Sequence, residues 1–320
     1  MLASVFVLGI SSWYLLKKRE LLLAKRSMVV AAVFGLVMSV FIVVTGDGSA
    51  RLIARYQPVK FAAMENLYEG QTRAPLVAVG ILKANRTESE PKREDFLFKI
   101  EVPAVLSYMA FSDPDAFVPG LKDLVQGNPE RNIISTSDKI KSGKLAVMAL
   151  KEYKEAKKAG NPTLADSALT QLNSNFHNFG YGFLGSEHEV VPPIKLTFYS
   201  FRIMVGLGFL FILLFVLALW LLLKNKAENN KWFYYLAIFS IPLAYLATQV
   251  GWIVAEVGRQ PWIIQDVMPT SAAVSRLTTG SVQLTFVLFA VTFTVLLIAE
   301  IKIMLTQIKK GPKEGGTAHV

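Results

Sequence analysis

The sequence predicts an all-α membrane protein, with five transmembrane helices and a large, mainly α-helical extracytoplasmic loop domain. Three observations predict it. Hydrophobic residues fill 52% of the 320 positions and the mean hydropathy is +0.40, too apolar for an ordinary soluble chain. The apolar residues gather in runs at 28–45, 199–223, 233–256 and 281–305, each near the ~20 residues that cross a bilayer, with a shorter run at 2–16. Between the second and third runs lies one polar insertion, Asp47 to about Lys195, of ordinary domain size.

These runs divide the chain into residues 1–46 (transmembrane helices 1 and 2), 47–198 (loop domain), 199–305 (transmembrane helices 3–5) and a tail, 306–320. The first run ends in Trp13, Tyr14, Lys17, Lys18 and Arg19, as the lower end of a membrane helix does. A secretory signal would carry its positive charges ahead of the apolar run rather than behind it. At 1.5 Å per residue the run reaches about 22 Å, short of the ~30 Å hydrocarbon layer. The first helix is therefore expected to be cut short, and a beginning at the outer surface points the same way. Within the insertion, Leu145, Met148 and Leu150 among Lys and Glu predict an amphipathic helix ending at Gly160. Thr163 with Asp166 predicts the cap of a second helix running to about Phe176. Residues 83–95 are expected to be a charged surface loop. Trp220, Trp232, Tyr234 and Tyr235 flank the turn between spans three and four, as interfacial aromatics should.

Charge sets the orientation. Residues 17–26 carry five basic and one acidic side chain, 224–231 three and one, 302–320 four and one. The sums, +4, +2 and +3, account for nearly all of the net +10 and lie on one side of a five-span topology. That side is cytoplasmic by the positive-inside rule, which puts the loop domain and residues 257–280 outside and the C-terminus inside. The same placement explains the basic balance through membrane lipid rather than nucleic acid. With no cysteine there is no disulfide or thiolate metal site. None of the three histidines, His177, His188 and His319, lies in an apolar run, so this chain alone cannot build a bis-histidine haem site in the membrane.

The candidate site centres on GWIVAEVGRQPW, residues 251–262. On a helix Trp252, Glu256 and Arg259 fall at i, i+4 and i+7, on one face. An ionisable group in hydrocarbon costs roughly 2.5–3.5 kcal/mol, so this pair needs partners, water or a bound group. The competing reading pairs Glu256 with Arg259 near the interface, with Trp252 and Trp262 anchoring the helix end. Met204, in FRIMVGLGF, reads from position alone as apolar filling. Lys60 and Glu65, in YQPVKFAAMENLYEG, are five apart and off a common helical face, which leaves solvated loop charge as their plain reading. Glu300 reads as structural or as lining of a proton path.

GWIVAEVGRQPW followed by PTSAAVS closely resembles the signature of subunit I of the cytochrome bd quinol oxidases, and LGISSWYLLKKRELLLAKRS, FRIM and the YQPVK stretch resemble the same family. The resemblance covers essentially all of the sequence but only about the C-terminal three fifths of a full subunit I. It implies oxidation of quinol near the outer face of a bacterial inner membrane, coupled to reduction of dioxygen to water. The implied cofactors are two haems b and one haem d, with electrons passing from low-spin haem b to high-spin haem b to haem d. Met204 is then an axial ligand of the low-spin haem b iron, with Arg202 beside it as a propionate or interface partner. The opposite histidine belongs to helices ahead of Met1, as do the family's other axial histidine and further carboxylates. Glu256 falls at the high-spin haem b and haem d site, where it coordinates iron or supports a propionate or proton. Arg259 would neutralise propionates, and Trp252 would pack on a macrocycle or bridge electron transfer. Lys60 and Glu65 occupy positions of quinol oxidation. Implied partners are subunit II, the missing N-terminal helices of subunit I, quinol and dioxygen. Two alternatives stay open: a non-functional fragment of that subunit, and a five-span receptor or transporter component whose outer domain binds a ligand.

Overall fold

In the computed structural model, which describes residues 1–83, 96–224, 230–275 and 277–311, the chain is mainly helical. Four helices are long and apolar enough to cross a membrane among the described residues: α2 (Leu21–Tyr56), α8 (Ile194–Leu223), α9 (Lys231–Glu256) and α10 (Thr279–Lys310). The first helix, α1 (Leu2–Leu16), is apolar but shorter. Each span extends beyond its apolar run, because helix propensity and polar flanks carry the backbone into the interface. The largest extension is in α2, where Asp47 and Arg51 pair one turn apart at 2.5 Å. The boundary expected at residue 46 falls inside that helix.

Two compact units emerge, Met1–Gly35 with Leu214–Ile241 and Ser275–Val320, and Leu36–Leu213 with Pro242–Val274. In the first, Val5, Leu8, Leu214, Phe215, Ala218, Phe233 and Ala237 are all but fully buried. Gly9 lets α1 meet its neighbour closely, since a Cβ there would lie 2.6 Å from the Ile241 side chain. Tyr14 Oη donates to the Ile308 carbonyl at 2.7 Å, and Arg19 to that of Lys309 at 3.1 Å, satisfying carbonyls in the last turn of α10. Residues 225–229 and 312–320, parts of two of the flanks counted for orientation, lie outside the described residues.

The second unit holds the loop domain. Its core gathers Phe61, Ala62, Ala63, Met64 and Leu67 with Leu106, Leu121, Leu124 and Val254. The expected amphipathic helix is α6 (Thr136–Lys158), longer than its apolar pattern because Ser135 caps Asp138 N at 3.1 Å. It stops before Gly160, whose φ of 70° suits glycine. The next helix, α7 (Pro162–Asn175), is capped not by Thr163 but by Asn161, whose side chain accepts from Leu164 N at 3.3 Å. Pro162 explains the shift, since proline suits the first helical position and moves the cap one residue ahead of it.

The domain also contains strands that the helical reading did not anticipate. β1 (Gln71–Thr72) pairs with β4 (Phe117–Val118), and β2 (Leu76–Leu82) with β3 (Phe96–Val102), while β5 (Trp262–Ile264) pairs with β6 (Met268–Pro269) in the second loop. LVAVGIL and FLFKIEV are rich in β-branched and aromatic residues, which favour a pleated strand over a helix. Of the charged loop expected at 83–95, residues 84–95 lie outside the described residues.

Candidate functional site

The site is built around a two-turn helix, α3 (Pro58–Glu65), which follows α2 directly. Pro58 opens it without wasting a donor, and Asn66, at φ 53°, closes it in the left-handed conformation. Lys60 and Glu65 therefore sit on a helix, not on an open loop. Both are buried, at 8% and 4% exposure, so the solvated-charge reading does not hold. Five positions rotate the helix by about 140°, so the two side chains leave α3 in different directions. Each finds a different partner.

Lys60 Nζ donates to the Ala255 carbonyl at 3.1 Å. That oxygen belongs to the last turn of α9, where carbonyls lack intrahelical donors and the helix dipole favours a cation. Burial, then the nearby Arg259 guanidinium, lower the Lys60 pKa, against a smaller opposing pull from Glu256. Glu65 meets Arg202 of α8 through a two-point fork, Nη2 to Oε2 at 2.5 Å and Nη1 to Oε1 at 3.4 Å. The guanidinium also lies over the rings of Phe198 and Phe201, at 4.8 and 5.2 Å. Burial raises the Glu65 pKa above the usual carboxylate value even though Arg202 pulls it down.

Arg202 stands two residues ahead of Met204. The Met204 thioether approaches α9 at Gly251, where an added Cβ would come within 3.1 Å of the sulfur. Gly208, one turn further along the Met204 face, opens onto empty space. The α8 and α9 faces around this sulfur are thus poor in side chains.

At the end of α9, Trp252, Glu256 and Arg259 are not all helical, because the helix stops at Glu256. The chain turns there and brings Arg259 Nη2 to Glu256 Oε2 at 2.6 Å, the local pairing that the competing reading foresaw. Trp252 is 61% exposed, as an anchoring or group-packing ring would be. Trp262 is instead buried, edge-on to Tyr181 at 4.9 Å, and is not an interfacial anchor. The Tyr181 hydroxyl donates to Asp266 at 2.8 Å, and burial together with that carboxylate pushes its pKa up. Replacing Trp262 with Ala is expected to lower stability by about 3–5 kcal/mol, the usual cost of emptying a buried aromatic site. A shift in the denaturant midpoint would measure it.

Beside Lys60 is a small cleft with room for about one water, lined by Gln57, Lys60, Arg259, Gln260, Trp262 and Gln265 among others. Buried atoms without a hydrogen-bond partner include Gln57 Oε1 and Arg259 Nε, on residues that line this cleft, and Arg202 Nε on α8. Sequence reasoning overlooked Gln57, although its place just ahead of the helix-opening Pro58 is legible. The 137-residue separation of Glu65 from Arg202 left no local signal of their pairing. Among the described residues no cluster of three or more His, Cys, Asp or Glu could hold a metal ion, and His177 and His188 lie in 3₁₀ segments ahead of α8.

The family model of cytochrome bd terminal oxidase subunit I matches residues 1–312. The chain is 32% identical to the cytochrome bd-II ubiquinol oxidase subunit 1 of Escherichia coli (strain K12), over 97% of this chain and 60% of that protein. It is 30% identical to the cytochrome bd ubiquinol oxidase subunit 1 of Bacillus subtilis (strain 168), over 96% of this chain and 53% of the other. The chain thus spans little more than half the length of these relatives. In fold it is similar to the bd oxidase from Geobacillus thermodenitrificans, with a TM-score of 0.65 at 24% identity, covering 98% of this chain and 56% of that one.

Proposed function

Because the chain belongs to the cytochrome bd terminal oxidase subunit I family, we propose that it forms part of a quinol oxidase of a bacterial inner membrane, oxidising quinol beside α3 and passing the electrons on to dioxygen. The observation that supports this most directly is the double attachment of α3. One end reaches the α9 terminus through Lys60, and the other reaches Arg202, two residues from Met204. A short helix carrying a buried amine and a buried carboxyl is thereby held between the two strings that resemble haem-binding segments.

Oxidising a quinol to a quinone removes two electrons and two protons. The unpaired Gln57 Oε1 can accept a hydrogen bond from one quinol hydroxyl presented at the mouth of the cleft beside Lys60. A Lys60 ammonium can donate to the oxygen left as the proton departs. Glu65 does not line that cleft, so it would take one of the two protons through intervening water, its pKa raised by burial, while the second leaves to solvent. Arg202 holds that carboxylate in place and stabilises its charged form.

The residues present fit haem on the side this chain supplies. Met204 would hold the low-spin haem b iron, since its sulfur lies beside the side-chain-free Gly251 and the helix face one turn on, at Gly208, is open. The buried, unpartnered Arg202 Nε is free to meet a propionate. Glu256, Arg259 and Trp252 would hold the high-spin haem b and haem d in the same way, through Arg259 Nε and the exposed indole. When bound, haem supplies one-electron carriers between a two-electron donor and dioxygen. A further iron ligand would come from another segment of the assembled complex, with subunit II as a proposed partner. The charge asymmetry supports an orientation with the loop domain outside and the C-terminus in the cytoplasm.

Met204→Ala in the assembled complex tests this reading. The low-spin haem b absorbance is expected to shift or its potential to fall, because the soft axial donor is gone. An unchanged reduced spectrum and midpoint would return Met204 to simple packing.

A further inference from the structure

The β2–β3 hairpin is apolar on its outward face, while its other face carries the Lys99–Glu101 ion pair beside apolar side chains. Cross-strand partners share a face, and the register sets Val79 opposite Ile100 and Ile81 opposite Phe98. These four side chains stay 50–53% exposed. On the other face Val77, Leu82 and Phe96 close over Phe198 of α8, the two phenyl rings meeting at 5.8 Å. A hairpin lying in water would turn polar side chains outward. This one turns out valine, isoleucine and phenylalanine.

Its anchorage says what covers that face. The Leu82 N–H donates to the Tyr199 hydroxyl at 2.8 Å, fastening the hairpin to the first turns of α8, a helix long and apolar enough to span a membrane. Tyr199 belongs to an exposed stripe of that helix with Leu196 and Ile203, at i, i+3 and i+7. The apolar surface of the spanning helix therefore runs on, through Tyr199, to the hairpin. Tyrosine characteristically marks the headgroup level, with its ring toward hydrocarbon and its hydroxyl toward water. Depth is limited from the other direction. A two-stranded sheet has two unpaired edges, whose N–H and C=O groups find no partners in hydrocarbon.

We propose that the β2–β3 hairpin is an interfacial membrane element. Its Val79, Ile81, Phe98 and Ile100 face rests on lipid at the level of Tyr199, and its strand edges stay in the headgroup layer. The occupant of this surface is lipid, not a second protein, and the assignment does not depend on the quinol reading above.

The chain has no cysteine, so Ile81→Cys and Phe98→Cys each create a unique thiol for a nitroxide label. The control is Met148→Cys, at an exposed position of α6. Each variant is purified with the partners it retains and placed in vesicles of phosphatidylethanolamine and phosphatidylglycerol. The unsubstituted chain, taken through the same labelling, supplies the background. Collision of the label with oxygen, which concentrates in lipid, is then compared with collision with a water-soluble nickel complex. The oxygen-to-nickel ratio is expected to be severalfold higher at both hairpin sites than at residue 148. A ratio equal to that at residue 148 would place the face in water. Protection from both reagents would mean that protein covers it. Either result overturns the proposal.

Discussion

Arg202→Leu is expected to destabilise the chain by about 3–5 kcal/mol, because it strands the Glu65 carboxylate in a buried site without its partner. The pair is an unusual investment for a loop domain, with the Glu65 side chain only 2% exposed and that of Arg202 13%. Two charges taken out of water need each other more than the fold needs either of them. Replacing both, as Glu65→Leu with Arg202→Leu, should therefore recover most of the loss, since an apolar pair of similar volume needs no desolvation. Denaturant midpoints of the parent, both single variants and the double variant form the cycle that measures this. Equal midpoints for the Arg202 single and the double variant would show that the pairing contributes nothing and that packing on Phe198 and Phe201 holds the arginine.

Glu65→Gln is expected to slow quinol-dependent turnover by about 10²-fold or more, the usual contribution of a positioned proton acceptor. The amide keeps a hydrogen bond to Arg202, so the fold is disturbed less than by removing the arginine. Haem content must be measured alongside the rate, because Glu65 grips a residue two positions from Met204. Oxygen uptake driven by an artificial reductant that bypasses α3 should survive. If both routes fall together, the carboxylate supports the site instead of taking a proton. Lys60→Met separates function from stability more sharply. Burial and Arg259 lower the Lys60 pKa, so at neutral pH the folded chain carries the cost of a buried ammonium. That cost is lifted as pH rises through the lowered value towards the ordinary 10.5. The variant should thus be slower with quinol yet more stable than the parent at neutral pH, with the advantage disappearing in alkali. A variant that is less stable than the parent at neutral pH would contradict this assignment of cost.

Much of this protein is written locally. An apolar run long enough to cross a bilayer must do so as a helix, because only internal hydrogen bonds satisfy its backbone. The spans of α2, α8, α9 and α10 were therefore legible without any knowledge of their neighbours. So was α6, whose apolar spacing and terminal glycine are features of one segment, and so were the residue strings around Met204, Glu256 and Lys60 that resemble the family. Errors of local detail had local causes. The cap of α7 moved to Asn161 because Pro162 takes the first helical position, and Arg259 left the helical face because α9 ends at Glu256.

What the tertiary structure decided is which charges meet and where they are buried. Sequence spacing placed Lys60 and Glu65 on different sides of any helix, which made them resemble unrelated surface charges. The fold uses that divergence, sending Lys60 to a carbonyl 195 positions away and Glu65 to a guanidinium 137 positions away. Trp262 likewise turned from an apparent membrane anchor into a core residue through Tyr181, which no spacing rule connects to it. Helix formation is set by neighbours within four residues and by the solvent around the segment. The pairing of buried charges depends on distant segments arriving at the same place, since only there does desolvation make one partner necessary to the other.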